Sequence, residues 1–261
     1  MSLHRPPESE SAVAARLRSA GSVFAEDEAR LLASSATNPL DLADMVERRV
    51  AGEPLEYILG WTEFCGMRIA VEPCVFVPRR RTEFLARCAA ALCRPGSVVV
   101  DVCCGSGAVG AAVLASVPGI ELYASDIDPA AVRCASRNLP PSKARVLHGD
   151  LFQPLPADIR GRVDLVVANA PYVPTGAIRM MPPEARLHEA RIALDGGADG
   201  LDVHRRLAAE AAGWLAPGGS ALVETSAAQA EQTAGLFIAA GFHSRIRRSR
   251  AHDATVIVAE L

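Results

Sequence analysis

The sequence lacks the excess of basic charge that domains binding nucleic acid usually carry. Its 261 residues have a formal net charge of −3, so no broad positive field attracts a phosphate backbone. The one arginine-rich stretch runs from Arg245 to Arg250, and a solvated edge strand explains it as well as a nucleic-acid patch does. The composition therefore disfavours nucleic acid as a direct ligand.

Long apolar runs and paired cysteines are also missing. No uninterrupted apolar run is long enough to cross a membrane, and residues 1–10 lack the apolar core of a signal peptide. The seven cysteines form no C-x-x-C pair and are odd in number, which argues against a zinc site or a disulfide framework. We therefore expect no membrane association, no bound metal, and a location in the reducing cytoplasm.

What the sequence does contain, from residue 97 onward, is apolar segments typical of buried strands that alternate with helical segments. This alternation predicts a mostly parallel sheet covered by helices on both faces. The predicted fold class is α/β and Rossmann-like, with a last pair of strands close enough to form an antiparallel hairpin. The seven predicted strands cover residues 97–102, 121–125, 144–147, 163–168, 220–224, 244–248 and 254–261. The predicted helices between them cover residues 108–117, 129–139, 204–215 and 227–240.

The first third of the chain has a different pattern. Apolar residues at helical spacing over 9–51 predict a small helical bundle, for which we expect a role in substrate docking or packing. Strand-like segments 67–71 and 75–77, interrupted by Pro73, predict a β-hairpin, and Thr82 is a suitable N-cap for a helix that ends near residue 92. The predicted organisation is a helical domain over 1–60, a linking β-hairpin over 61–78, and the α/β domain over 79–261.

A glycine-rich loop follows the first strand of the predicted sheet. Gly105, Gly107 and Gly110 match the pattern G-x-G-x-x-G between a strand and a helix. Glycines at these positions let the backbone turn tightly and approach a ligand closely. In a doubly wound sheet that ligand lies beyond the carboxyl ends of the strands, although each glycine singly is also explained by a tight turn.

Acidic residues end the first three strands of this sheet. Asp126 is placed to accept both ribose hydroxyls of a nucleoside, and Asp150 with Leu151 to bracket an adenine ring. Asp101 lies four residues before Gly105, where a carboxylate would repel the pyrophosphate of a nicotinamide dinucleotide. The same carboxylate would attract the cationic amino-acid end of S-adenosylmethionine, so the pattern favours this cofactor.

The segment Asn169-Ala170-Pro171-Tyr172 follows the fourth strand. Asn169 offers an amide that both accepts and donates, and Pro171 holds Ala170 extended so that its carbonyl points in a fixed direction. Tyr172 supplies a flat face for stacking. The Asn169 side-chain oxygen and the Ala170 carbonyl are two hydrogen-bond acceptors, and together with the Tyr172 ring they suit a site that holds a planar NH2 group beside a methyl donor. A simple strand-end turn contains the same residue types.

Together these motifs resemble those of the HemK/PrmC-type protein-(glutamine-N(5)) methyltransferases, which methylate the glutamine of the Gly-Gly-Gln motif in class I peptide chain release factors. The resemblance includes the glycine loop and segments 54–60, 64–66, 75–79, 82–83, 126–129, 169–172 and 188–201. The chain departs from the family at Ala170 and Ala190, where the family has proline, and at Cys103, where it has glycine. These departures indicate a divergent or paralogous member.

The resemblance implies a class I S-adenosylmethionine-dependent methyltransferase that yields S-adenosylhomocysteine, requires no metal and acts on a release factor. An enzyme that methylates an amino group of a nucleic-acid base or another planar NH2 substrate, and a non-catalytic cofactor-binding domain, are the alternatives. The implied catalytic residues are Asn169, Ala170, Pro171 and Tyr172. The implied cofactor-binding residues are Phe76, Arg79, Asp101, Cys103, Cys104, Gly105, Ser106, Gly107, Asp126, Ile127, Asp150, Leu151 and Asn169.

Overall fold

The computed structural model describes residues 9–261, so the part of the predicted helical domain over residues 1–8 lies outside the described residues. The chain begins with four helices, α1 (Glu10–Ser19), α2 (Ala25–Ser35), α3 (Pro39–Val50) and α4 (Leu55–Leu59). The Asn38 side chain caps α3 by accepting hydrogen bonds from the backbone N–H groups of Leu40 and Asp41. The apolar faces of the four helices pack into a cluster of their own around Val13 and Leu32.

A two-stranded hairpin, β1 (Trp61–Phe64) and β2 (Met67–Ala70), follows these helices. The prediction of a strand over residues 75–77 is wrong. The chain turns after β2 with a hydrogen bond from the Val75 N–H to the Glu72 carbonyl, and the Val77 N–H then bonds to the Glu189 carboxylate rather than to a strand. We call residues 74–79 the front strap.

A short 3-10 helix (Arg80–Thr82) leads into α5 (Glu83–Leu92), and the α/β part follows. Its elements are β3 (Val98–Val102), α6 (Ala108–Ser116), β4 (Glu121–Asp126), α7 (Pro129–Asn138), β5 (Ala144–His148), β6 (Val163–Ala168), α8 (Pro183–His188), α9 (Asp202–Ala211), β7 (Leu215–Thr225), α10 (Ala230–Ala239), β8 (His243–Ser249) and β9 (Ala254–Glu260). The strands lie side by side in the order β5-β4-β3-β6-β7-β9-β8. Neighbouring strands from β5 to β7 are parallel, and β9 pairs antiparallel with both β7 and β8. The predicted seven-stranded Rossmann-like sheet is therefore confirmed.

The boundary between α9 and β7 differs from the prediction. The helix ends at Ala211, and β7 begins at Leu215 rather than at residue 220. Gly218 takes the left-handed conformation with φ +78°, and a Cβ on Gly219 would come within 2.9 Å of the Val163 carbonyl oxygen. The glycines, which lie between the predicted helix and the predicted strand, let an irregular strand pair with β6 across a register shift.

Each face of the sheet has its own apolar core. One core includes residues of α9 and α10, and the other includes residues of α5, α6 and α7. The arginine-rich stretch lies in β8, the edge strand of the sheet, and a helix long and apolar enough to cross a membrane is not found within residues 9–261. Because helices cover both faces of the sheet, a site can form in the loops at the carboxyl ends of the parallel strands.

Candidate active site

A pocket lies at the carboxyl ends of β3, β4 and β6. It is lined by most of the predicted site residues. Those that line it are Phe76, Arg79, Asp101, Cys103, Cys104, Gly105, Ser106, Asp126, Ile127, Asn169, Ala170, Pro171 and Tyr172. The predicted residues Gly107, Asp150 and Leu151 are absent from this lining, so the pocket brings together two parts of the prediction, the glycine loop and the segment after β6.

The three predicted residues outside the lining have structural roles. Gly107 precedes α6 with φ +75°, and a Cβ there would come within 2.9 Å of the Leu139 side chain, so helix packing as well as φ requires glycine. The Leu151 side chain lies in the core, and its carbonyl accepts the Ser125 hydroxyl at 2.7 Å. Asp150 forms an ion pair with Arg206 at 2.9 Å.

A buried carboxylate and a half-buried one stand beside the glycine loop. Asp101 is 1% exposed and accepts the Gly110 N–H at 2.9 Å, while Asp126 accepts the Gly105 N–H at 2.8 Å. Burial, reinforced by the charge of Asp126, raises the pKa of Asp101 to about 7; burial also raises the pKa of Asp126. A cationic or hydrogen-bond-donating ligand would relieve both effects, and the space above Gly105 is open to receive one.

The front strap is held from two distant parts of the chain. The Tyr57 hydroxyl at the N-terminal side donates to the Val75 carbonyl at 2.6 Å. The buried Glu189 carboxylate accepts the Val77 N–H at 3.1 Å and an N–H of Arg79 at 2.6 Å. The Arg79 guanidinium in turn lies 5.0 Å from the centre of the Phe76 ring. These contacts hold Phe76 and Arg79, both among the implied cofactor-binding residues, in the pocket wall.

The N-terminal helices contact α8 beside the pocket. Arg49 of α3 bonds to Glu28 of α2 at 2.8 Å and to Glu184 of α8 at 2.5 Å. Glu184, Arg79 and Arg81 line a shallow groove beside the pocket. The helical part of the chain therefore contacts α8 at a groove that shares Arg79 and Arg81 with the pocket.

Asn169 and Tyr172 are held by hydrogen bonds from outside their own segment. The Asn169 Nδ2 donates to the Thr82 hydroxyl at 3.3 Å, and its Oδ1 accepts no hydrogen bond from within residues 9–261. The Tyr172 hydroxyl donates to Glu224 at 3.3 Å, and the Tyr172 carbonyl accepts from Gln229 at 3.0 Å. Burial and the Glu224 charge raise the pKa of Tyr172 to about 12, so this hydroxyl stays protonated.

Two further residues contribute to the site: Thr82, which was predicted as a helix cap within a family segment, and Glu224, which was not predicted. Thr82 precedes α5 as expected, but it has helical backbone angles and its side chain caps nothing; the hydroxyl contacts Asn169 instead. Glu224 follows Val223 at the carboxyl end of β7, is 1% exposed, and lies 3.5 Å from the Arg81 Nε. Glu224 could have been predicted as a site residue in the same way as Asp101, because it is an acidic residue at the end of a buried strand.

Comparison with known proteins places this geometry in context. The family model "Methyltransferase small domain" matches residues 69–201. The release factor glutamine methyltransferase of Geobacter sulfurreducens is 40% identical over 210 residues, which span 78% of this chain and 73% of that protein. The 4-amino-L-phenylalanine/4-methylamino-L-phenylalanine methyltransferase of Streptomyces pristinaespiralis is 38% identical over 203 residues, 75% of this chain and 69% of that protein.

A solved structure agrees in fold. The crystal structure of a methyltransferase from Pyrococcus furiosus superposes with a TM-score of 0.56 at 16% identity, over 75% of this chain and 89% of that one. The seven-stranded sheet, the glycine loop and the family match define a class I methyltransferase. At 40% identity over most of both lengths, the chain belongs to the release factor glutamine methyltransferase family, as its motifs predicted.

Proposed function

We propose that this chain transfers a methyl group from S-adenosylmethionine to the side-chain amide nitrogen of a glutamine in a protein, namely in the Gly-Gly-Gln motif of a class I peptide chain release factor. The observation that carries the proposal is the free Oδ1 of Asn169, in the pocket that Tyr172, Asp101 and Asp126 also line. The names of the relatives support the choice of acceptor.

The residues of the pocket fit S-adenosylmethionine, which when bound supplies an electrophilic methyl group on sulfur. Asp101 would accept from the ammonium group of the methionine part, and Asp126 retains lone pairs for the ribose hydroxyls. The Asp101 carboxylate beside the glycine loop favours a cationic group over a pyrophosphate, which favours S-adenosylmethionine over a dinucleotide. Phe76 and Arg79 of the front strap would cover the bound molecule.

The chain's own contribution to the chemistry is to orient a weak nucleophile. An amide nitrogen has its lone pair delocalised into the carbonyl, so it attacks only if its charge distribution is altered or its approach is aligned. Asn169 Oδ1 and the Ala170 carbonyl would each accept a hydrogen bond from the NH2 group of the substrate glutamine. These bonds strengthen as positive charge develops on nitrogen in the transition state, and the Tyr172 ring packs against the planar amide.

We further propose that the N-terminal helices dock the release factor and that the reaction takes place in the cytoplasm. Arg49 supports the docking role, because it joins α2 and α3 to Glu184 on the groove beside the pocket. The location follows from cysteine usage rather than from the fold.

A methyl-transfer assay with three acceptors tests the proposal. Purified release factor should take up one methyl group from labelled S-adenosylmethionine, whereas a release factor with the motif glutamine changed to alanine, and duplex DNA, should take up none. Methylation of the alanine version would move the acceptor elsewhere in the protein. Methylation of DNA but not of release factor would replace the proposal.

A second candidate acceptor is a small arylamine. It is favoured by one observation, the 38% identity to a protein named for methylating 4-amino-L-phenylalanine. An aromatic amine also presents a planar nitrogen with two hydrogens, so the same two acceptors could hold it. Adding 4-amino-L-phenylalanine as a fourth acceptor in the assay distinguishes the two candidates directly.

Ala170→Pro tests what the alanine does. We expect the variant to transfer methyl groups to release factor at a similar or higher rate, because the atom required at position 170 is the backbone carbonyl and proline also fixes φ. The alanine's extra freedom costs on the order of 0.4–1 kcal/mol. The measurement is kcat and KM with release factor and, in parallel, with 4-amino-L-phenylalanine.

Measuring both methyl acceptors, the release factor and 4-amino-L-phenylalanine, makes this result decisive. Ala170 is 1% exposed and packs in the core, so its side chain helps to shape the base of the acceptor site. If Ala170→Pro loses the release-factor activity and the wild type methylates the arylamine, the alanine serves a differently shaped acceptor. The release-factor assignment is then the part of the proposal to abandon.

A further inference from the structure

The side chain of Gln229 joins three parts of the chain. Gln229 is the N-cap residue of α10 and is 9% exposed, but its side chain does not cap that helix. Its Nε2 donates to the Tyr172 carbonyl and to the Asp199 carbonyl, each at 3.0 Å, and its Oε1 accepts the Ser226 hydroxyl at 2.6 Å. Carbonyl oxygens only accept hydrogen bonds, so these two partners fix which end of the amide faces them.

The two carbonyls belong to segments that lie in close contact. We call residues 194–200 the support loop. Gly200 in this loop has φ +79°, and a Cβ there would clash with the Tyr172 carbonyl oxygen and with the Gln229 Nε2. The N–H and the carbonyl of Val173 also bond to the support loop, at 3.1 and 2.9 Å. The support loop and the segment after β6 therefore form one unit, and Gln229 joins that unit to the start of α10.

Tyr172 is held at both of its ends from the same turn of the sheet. Its hydroxyl donates to Glu224, at the carboxyl end of β7, at 3.3 Å. Its carbonyl accepts from Gln229, in the turn that follows β7. On its N-terminal side, Pro171 has a φ fixed by its ring. Little torsional freedom is left between Tyr172 and the Ala170 carbonyl, so the position of the ring and the direction of that carbonyl are set together.

We propose that Gln229 is a positioning residue, which holds the Tyr172 backbone against the support loop and thereby aligns the Tyr172 ring and the Ala170 carbonyl with the methyl acceptor. Gln229 is absent from the pocket lining, so it acts through Tyr172 and touches neither substrate. The inference rests on the proposed function for the identity of the acceptor. The contacts that carry it are the same for a glutamine and for an arylamine.

Gln229→Met tests the inference by kinetics. Methionine has about the length of glutamine but offers no N–H donor, so both carbonyls lose their partner. We expect kcat to fall about 10- to 100-fold, because a misplacement of about 1 Å near the reacting atoms can cost about 100-fold in rate. The KM for S-adenosylmethionine should stay near the wild-type value, since Asp101 and Asp126 end β3 and β4.

Two neighbouring hydroxyl groups supply a graded variant and a matched control. Ser226→Ala removes the donor to Gln229 Oε1 and leaves both Nε2 bonds, so its kcat should lie between those of Gln229→Met and the wild type. Thr225→Val removes a buried hydroxyl bonded to Thr233 at 3.2 Å, outside these contacts. It should lower the melting temperature and leave kcat unchanged, which separates positioning from the stability of the turn.

Carbon NMR of the tyrosine carbonyls reports the contact without any methyl acceptor. The chain has three tyrosines, so protein labelled with carbonyl-13C tyrosine should give three signals, and Tyr172→Phe identifies the one from Tyr172. A carbonyl that loses a hydrogen bond changes its chemical shift. Gln229→Met should therefore move and broaden the Tyr172 signal alone, whereas Thr225→Val should leave all three signals in place.

The outcomes separate the inference from the proposed function. A wild type that methylates neither release factor nor 4-amino-L-phenylalanine rejects the proposed function, and the Tyr172 signal then decides the positioning role. An unaltered Tyr172 signal in Gln229→Met overturns the inference, as does wild-type kcat or an equal loss of kcat in Thr225→Val. If Gln229→Met does not fold, Ser226→Ala takes its place, and wild-type kcat with an unaltered Tyr172 signal in that variant overturns the inference.

Discussion

Asn169→Ala should turn over about 100- to 1000-fold more slowly than the wild type, with nearly unchanged affinity for S-adenosylmethionine. The substitution removes the Oδ1 that would accept a hydrogen of the attacking nitrogen, and that bond strengthens only as charge develops. Asn169 lies after β6, whereas the two carboxylates that would hold the cofactor end β3 and β4. The loss should therefore appear in kcat at saturating concentrations of both substrates.

The matched control for this prediction is Asn38→Ala. Asn38 caps α3 and is absent from the pocket lining, so its loss costs about 1 kcal/mol of stability without changing kcat. Calorimetric titration with S-adenosylmethionine should give the same dissociation constant for both variants. An Asn169→Ala variant that keeps a tenth or more of wild-type kcat would remove Asn169 from the transition state.

Asp126→Ala should weaken binding of S-adenosylmethionine about 10- to 150-fold, which corresponds to about 1.5–3 kcal/mol for lost hydrogen bonds to a charged group. Part of the loss reflects the loop, since Asp126 also accepts the Gly105 N–H at 2.8 Å and the Asp128 N–H at 2.9 Å. Asp126→Asn keeps an acceptor for the loop and loses the charge, so it should fall between alanine and wild type.

Asp164→Ala separates ligand binding from loop stability. The Asp164 carboxylate also accepts a backbone N–H, that of Val98, at 2.8 Å, but it is absent from the pocket lining. Both alanine variants should lower the melting temperature, and calorimetry should find weaker binding only for Asp126→Ala. Equal affinity of Asp126→Ala and wild type would mean that this carboxylate holds the loop and not the ligand.

The parts of the fold and site that the sequence could predict are those encoded locally. The glycine loop and the segment after β6 are each specified by adjacent residues, and the structure brings both to one pocket because parallel strands end at the same edge. The alternation of strands and helices, which is also encoded in adjacent residues, predicted the seven-stranded sheet. At Gly218, which lies between the predicted helix and the predicted strand, tertiary pairing with β6 extended the strand.

What could not be predicted depends on residues far apart in the chain. The Val77 N–H, which an alternating pattern assigns to a strand, is bonded to Glu189, 112 residues later. Thr82 has the composition of a helix cap but contacts Asn169, 87 residues later. The Leu151 side chain points to the core from a left-handed backbone, an orientation that no spacing rule supplies. These pairings become visible only when the sheet brings its strands together.

The two anchors of the front strap have a consequence for the order of folding. Tyr57 and Glu189 hold Val75, Val77 and Arg79 from opposite sides in sequence, and the loop closed by Val77 and Glu189 spans 112 residues. Such non-local contacts form late, because the entropy of closing the loop is lost before the contact stabilises the chain. During synthesis this anchor of the front strap is therefore missing until residue 189 has left the ribosome, and a shorter nascent chain holds the strap from the Tyr57 side alone.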